Sequence, residues 1–158
     1  MGKPKRYNEV ASIRSRIGEG MREILFKAKR IDNGEWVYGN YAFTDTNGEQ
    51  HFIFQNKAFE HEVDKDTICQ YTGLTDKNGN KIWENDIVKR YTSNGDEWRI
   101  SKIVWADYSL NMGWCIEDVK SLAITSSRLF SVGFDVNDTK KCEVIGNIFD
   151  NAELLKGE

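Results

Sequence analysis

The stretch from Gln70 to Arg90, QYTGLTDKNGNKIWENDIVKR, restricts the fold more than any other part of the chain. Its Asn78-Gly79 pair lies between two runs of strand-forming residues. An Asn-Gly pair so placed is the strongest short-range hairpin signal, because a two-residue type I′ turn needs φ > 0 at both central positions. Before it, Tyr71-Thr72-Gly73-Leu74 ends an extended segment with a glycine free to take positive φ. After it, Ile82 to Val88 returns as a strand interrupted by the polar triplet Glu84-Asn85-Asp86, which reads as a bulge or tight corner. A hairpin feeding a bent strand belongs in a small β-barrel, and its residue types are those of structure rather than chemistry. These residues say what the chain folds into, not what it does.

The same rhythm runs along the rest of the chain. Ile24, Phe26 and Ala28 share one strand face, Asp32-Asn33-Gly34-Glu35 turns, and Trp36 to Phe43 returns. Asp45-Thr46-Asn47-Gly48 turns again ahead of His51 to Gln55, which completes a meander with the spacing of an antiparallel sheet. Asn56 to Asp66 reads as polar and irregular. Beyond the central block, Ser93-Asn94-Gly95-Asp96 is a turn, Glu97 to Asp107 alternates with one phase slip, and Met112 to Glu117 is another strand. Ser121 to Phe130 fits either a strand pair or a turn and a strand. Cys142 to Phe149 closes the sheet, and Asp150 to Gly157 reads as a helical turn capped by Asp150 or Asn151 and stopped by Gly157. The predicted class is mainly β: an antiparallel meander lobe over 21–66, an SH3-like small barrel over 67–150, and a short C-terminal helix over 151–158. The barrel rests on strand number and turn density, by analogy. Residues 1–20 read as an N-terminal extension, either a short helix or a disordered arm.

Three segments in the same order carry a likeness to a known family: the opening MREILFKAKRIDNGEWVYG, the central block, and the closing CEVIGNIFDNAELL. Together they resemble the YopX family of phage and prophage proteins over Met21 to Leu155. The family pattern has Gly where this chain has Asn85, and Pro is frequent where it has Ala152. Asn tolerates the left-handed conformation, so the corner survives the first change; the second loses only a helix-initiating proline. The resemblance implies a phage-encoded, mostly β protein of unassigned role, with no catalytic motif to carry over. The likeness begins at Met21, and Gly18-Glu19-Gly20 is what a purine-rich ribosome-binding site gives when translated. The expected native start is therefore Met21, with a partner-contacting basic arm as the rival reading of residues 1–20.

Charge narrows the partners. Residues 1–20 hold five basic and two acidic side chains, a net of +3; the whole chain is −3, so residues 21–158 carry −6. An acidic body does not suit nonspecific binding to phosphate backbones. No apolar run approaches the ~20 residues of a membrane span, so the expectation is a cytoplasmic protein without a membrane partner. Cys69, Cys115 and Cys142 are too few and too far apart for a disulfide framework or a zinc cluster. His61 between Glu60 and Glu62 points away from both on a strand, a spacing that makes no metal site without distant partners, and nothing local supports pairing of a cysteine with His51 or His61. No phosphate-binding loop, dinucleotide fingerprint, nucleophile elbow or zinc-protease signature is present. Asp76, Glu84 and Asp86 gather near the central turn, where carboxylates are ordinary turn and corner residues. The expectation is a non-enzyme without a cofactor.

Aromatic residues are more numerous than turns require: five Trp, six Tyr and eight Phe. Much of this is core. The remainder suits an exposed patch for self-association or a protein partner, since Trp and Tyr are enriched at interface hot spots. The candidate interaction residues are Trp83, Tyr91 and Trp98, with Arg90, Arg99 and Lys102 as a local basic stripe beside them. The expected function is binding: a phage or prophage accessory protein acting as a homo-oligomer or on a host or phage protein, modulating a host or defence factor. The alternative is a small barrel that stacks nucleic-acid bases on its aromatics beside that basic stripe.

Overall fold

The computed structural model describes residues 23–46, 48–55, 59–91, 98–108, 111–121, 132–133 and 139–156. They form eleven strands: β1 (Phe26–Lys29), β2 (Trp36–Thr44), β3 (Gln50–Gln55), β4 (Phe59–Glu62), β5 (Cys69–Thr75), β6 (Lys81–Trp83), β7 (Asp86–Tyr91), β8 (Trp98–Tyr108), β9 (Asn111–Ser121), β10 (Val132–Gly133) and β11 (Cys142–Asn147). One sheet has the order β4-β3-β2-β1-β5-β6, the other β10-β9-β8-β7-β11, and the strands pair antiparallel throughout. The fold is mainly β, as the turn spacing predicts. The 1–20 extension, the Ser93–Asp96 turn and all but the first residue of Ser121–Phe130 lie outside the described residues.

Strands β1 to β4 curl until their ends meet. Val63 bridges Arg30, Ile31 N–H donates to Glu62 O (3.1 Å), and Asp64 N–H donates to Lys29 O (2.8 Å). Alternation places Ala28, Val37, Ile53 and Val63 inside this curl, all at most 5% exposed. The approach of β2 to β3 is close: a Cβ at Gly39 would run into the Phe54 carbonyl. The segment expected to be irregular at 56–66 instead supplies β4, which pairs with β3 from Phe52 to Gln55. Glu and His have weak strand preference, but a ready partner strand outweighs it.

The hairpin at Asn78-Gly79 forms with different geometry from the predicted type I′ turn. Gly79 has φ +85°, whereas Asn78 is not among the positive-φ residues. Asp76 N–H donates to Asn80 O (2.8 Å) and Gly79 N–H to Asp76 O (3.0 Å). This is a three-residue loop, a tight turn followed by a left-handed glycine. The Asp76 carboxylate selects it by accepting from the backbone of Asn78 (2.8 Å) and Asn80 (2.9 Å).

The predicted corner is where the chain leaves one sheet for the other. Asn85 takes φ +63° between β6 and β7, a conformation Asn tolerates better than most L-residues. The sequence reading divides lobes after residue 66; the sheets divide at Glu84-Asn85, and β5 and β6 belong with β1 to β4. That hairpin serves both sides. Ile82 and Leu74 pack with Val88, Ile103, Trp114, Ile116 and Cys142 in the second core, while Tyr71 and Trp83 pack with Cys69, Leu25 and Phe149 at the junction. In the second sheet the last strand, β11, lies beside the first, β7, at one edge, with β10 at the other.

The expected C-terminal helix is a short 3-10 turn, Ala152–Leu155, ending at Lys156, and neither expected cap closes it. Asn151 Oδ1 instead accepts from the backbone of Asn147 (3.2 Å), and Asp150 is turned toward Lys29 and Trp36. The expected stop, Gly157, lies outside the described residues.

Candidate functional site

The six predicted interaction residues divide among three environments. Trp83 is 6% exposed and sits in the junction core, with the rings of Tyr71 and Tyr38 at 5.4 and 5.5 Å. Tyr91 is exposed at the end of β7 beside the Lys77 ammonium, 5.8 Å from its ring. Trp98 opens β8 directly opposite Tyr91, and its side chain lies outside the described residues.

The basic stripe has two faces. Arg90 and Arg99 are directly opposed across β7 and β8, and share a face with Val88 and Ser101, both 0% exposed. Arg90 Nε donates to Ser101 Oγ at 3.1 Å. Lys102, three residues after Arg99, points to the other face because strand side chains alternate. It is paired with Glu117 at 3.2 Å. The three cations therefore do not line one groove.

An exposed indole that pattern reading did not single out lies further along β8. Trp105 is 47% exposed and directly opposite Trp114, which is 9% exposed. Their ring centroids are 5.0 Å apart at an interplanar angle of 79°, the edge-to-face geometry aromatic pairs prefer. Trp105 continues the row Ser101, Ile103 along the core face and emerges where the core ends. Trp114 Nε1 is buried beneath it with no hydrogen-bond partner among the described residues. The clue in the sequence was register: the pairing of Tyr108 with Asn111 sets Trp105 against Trp114.

His51 has the only titratable arrangement with the look of a relay among the described residues. Its Nδ1 lies 2.8 Å from the Tyr41 hydroxyl and its Nε2 2.9 Å from Glu49 Oε1. The His51 hydrogen bond and the nearby Lys65 hold Glu49 below the usual carboxylate range. Ring contacts of His51 with Tyr41 and Phe43 at 5.9 and 5.3 Å make it part of an aromatic cluster as well. It borders an open groove of about 430 Å³, in whose lining Lys29, Arg30, Glu49 and Lys65 are engaged in ion pairs. His61 stands on β4 opposite Ile53 and takes no part.

The remaining chemistry-bearing residues are structural. Asp76 and Asp86 are 5% and 2% exposed and saturated with donors. Burial pushes the Cys69 thiol up to about 11, only partly offset by the Asn85 amide and Lys27, so it stays protonated at neutral pH. Among the described residues no three His, Cys, Asp or Glu side chains are placed to share a metal ion, and no helix is long and apolar enough to cross a membrane.

The family model described as YopX protein matches residues 25–156. No curated protein matches the chain.

Proposed function

This chain belongs to the YopX family, and from that premise we propose that it is a phage or prophage accessory protein that acts by binding, in the cytoplasm of a bacterial host. Its target is another protein or a second copy of itself, and its role is modulation of a host or defence protein rather than catalysis. The observation that carries this reading is the Trp105–Trp114 pair. A half-exposed indole braced edge-on against a buried one is a large apolar anchor whose ordering cost is already met by the fold, which is what interface hot spots use. The net of −6 over residues 21–158 favours a protein partner over a phosphate backbone.

The test is size-exclusion chromatography with light scattering at low and high salt, with and without a mixed nucleic-acid pool, on the wild type and Trp105→Ala. A salt-resistant oligomer that Trp105→Ala dissociates supports the reading. A wild type that stays monomeric and shifts only with nucleic acid at low salt overturns it. That second outcome would favour the small-barrel nucleic-acid reading, which draws on the opposed pair Arg90 and Arg99. There, Arg90→Glu or Arg99→Glu should abolish binding and flatten its salt dependence.

A further inference from the structure

We propose that Asn78 is a site of spontaneous deamidation in the folded protein, and that the damage loosens the contact between the β5–β6 hairpin and β11. The reaction needs no partner. The backbone nitrogen of the following residue attacks the Asn side-chain Cγ, ammonia leaves, and a five-membered succinimide forms. Water then opens the ring at one carbonyl or the other, giving aspartate or isoaspartate. Glycine in the following position removes the Cβ that would obstruct the attack.

The chain has four Asn-Gly pairs, beginning at Asn33, Asn47, Asn78 and Asn94. The first and third lie wholly within the described residues, and the fold treats them differently. At Asn33 both ends of the amide are held: Oδ1 accepts from Glu35 N–H at 2.9 Å, and Nδ2 donates to Glu35 Oε2 at 3.0 Å. These two bonds restrict rotation of the Asn33 side chain, which the attack on Cγ requires. At Asn78 the backbone N–H is held by Asp76, but the side chain makes no hydrogen bond among the described residues and is exposed. Space around Gly79 and Gly34 is equally open, with no atom within 4 Å of where a Cβ would sit, so access does not separate the two sites. In both loops the glycine N–H donates to a carbonyl at 3.0 Å. The nucleophile is thus equally restrained, and the difference rests on the amide.

Damage there reaches the second sheet. The loop is fastened to β11 by Lys77 N–H donating to Cys142 O (3.1 Å) and by Val144 N–H donating to Asp76 Oδ2 (3.0 Å). Isoaspartate lengthens the main chain by one carbon between Lys77 and Gly79 and adds a carboxylate two residues from Asp76. Both changes act against the loop geometry that aims Asp76 at Val144.

The experiment is peptide mapping by mass spectrometry during incubation at mildly alkaline pH and body temperature, on the full chain, folded and in denaturant. In the folded protein the Asn78 peptide should convert at least several-fold faster than the Asn33 peptide, and the two rates should converge in denaturant. Equal or faster conversion of Asn33 in the folded protein overturns the proposal. So does an unchanged ratio in denaturant, since neighbouring residues and not the fold would then set it. Asn78→Gln, an exposed change that disfavours cyclisation, should remove the Asn78 signal. Hydrogen exchange at Val144 should then be faster in aged wild type than in aged Asn78→Gln; equal exchange would overturn the structural consequence.

Discussion

Lys27 Nζ lies 2.7 Å from Asp86 Oδ1, and the two residues are 5% and 2% exposed. The pair joins the sheets, since Lys27 is on β1 and Asp86 begins β7. The ammonium also lies 5.0 and 5.6 Å from the Trp36 and Trp83 ring centroids, and the other carboxylate oxygen accepts from Trp83 N–H at 2.8 Å. Each charge therefore has a partner, which is the condition for keeping it in the interior. Lys27→Met should destabilise the fold by about 3–5 kcal/mol, because it leaves an uncompensated buried carboxylate. Adding Asp86→Asn should recover part of that loss by removing the charge. Urea unfolding of the three variants checks this; a double variant no better than Lys27→Met would mean the loss comes from packing against the two indoles.

Asp76 has the same standing at the hairpin tip. Burial pushes its carboxyl up, but donors from the backbone of Val144, Asn80 and Asn78 and from the Asn80 amide outweigh that and hold it below its ordinary value. Asp76→Ala should cost about 2–3 kcal/mol, since it strands several buried donors at once. Asp76→Asn should cost less, keeping one acceptor oxygen. Hydrogen exchange at Val144 should quicken in Asp76→Ala before the rest of β11. Uniform quickening would mean the tie is not local.

The corner at Asn85 offers a test of backbone strain. With φ +63°, Asn85→Gly should be neutral or slightly stabilising, and Asn85→Ala should cost about 1 kcal/mol. The 3.7 Å contact from the Asn85 amide to Cys69 Sγ is too weak to reverse that order. Thermal unfolding of the two variants decides, and a more stable Asn85→Ala would show that the corner is not set by φ.

These residues also show what a linear reading can and cannot recover. The hairpin, the corner at Asn85 and the antiparallel rhythm are local: turn residues and period-two alternation carry them. The three-residue form of the hairpin was hidden because it depends on Asp76 folding its carboxylate back onto two backbone amides. Strand β4 was hidden because Glu60-His61-Glu62 is unremarkable until β3 is beside it. Lys27 gave no sign of burial, since lysine is seldom buried and its partner is 59 positions away. On the binding surface, composition indicated an excess of aromatics but not which would emerge. Trp83 went inward because its strand neighbour Ile82 fills the second core, whereas Trp105 outruns the core along β8.

The pH response tests the C-terminal fastening. Burial alone would raise the Asp150 pKa, but hydrogen bonds from Lys29, Asn147 and Trp36 outweigh it and hold the carboxyl at about 2 against an ordinary 3.8. Trp36 Nε1 donates to Asp150 at 2.7 Å, which ties the closing segment to β2. Because the folded carboxyl releases its proton more readily than the unfolded one, ionised Asp150 stabilises the fold above the ordinary value, and this is lost as pH falls toward about 2. The side chain is 38% exposed, so solvent screening reduces the contribution to about 1 kcal/mol. Asp86 acts in the opposite sense: burial raises its pKa, partly offset by Lys27 and the Trp83 N–H. Its ionisation therefore costs stability as pH rises past its ordinary value, and acid relieves that cost. Asp150→Asn should lower stability by about 1 kcal/mol at neutral pH and flatten the acid limb from about pH 4 to about pH 2. Urea midpoints across that range measure it; parallel limbs for wild type and variant would show that Asp150 is not what the protein loses in acid.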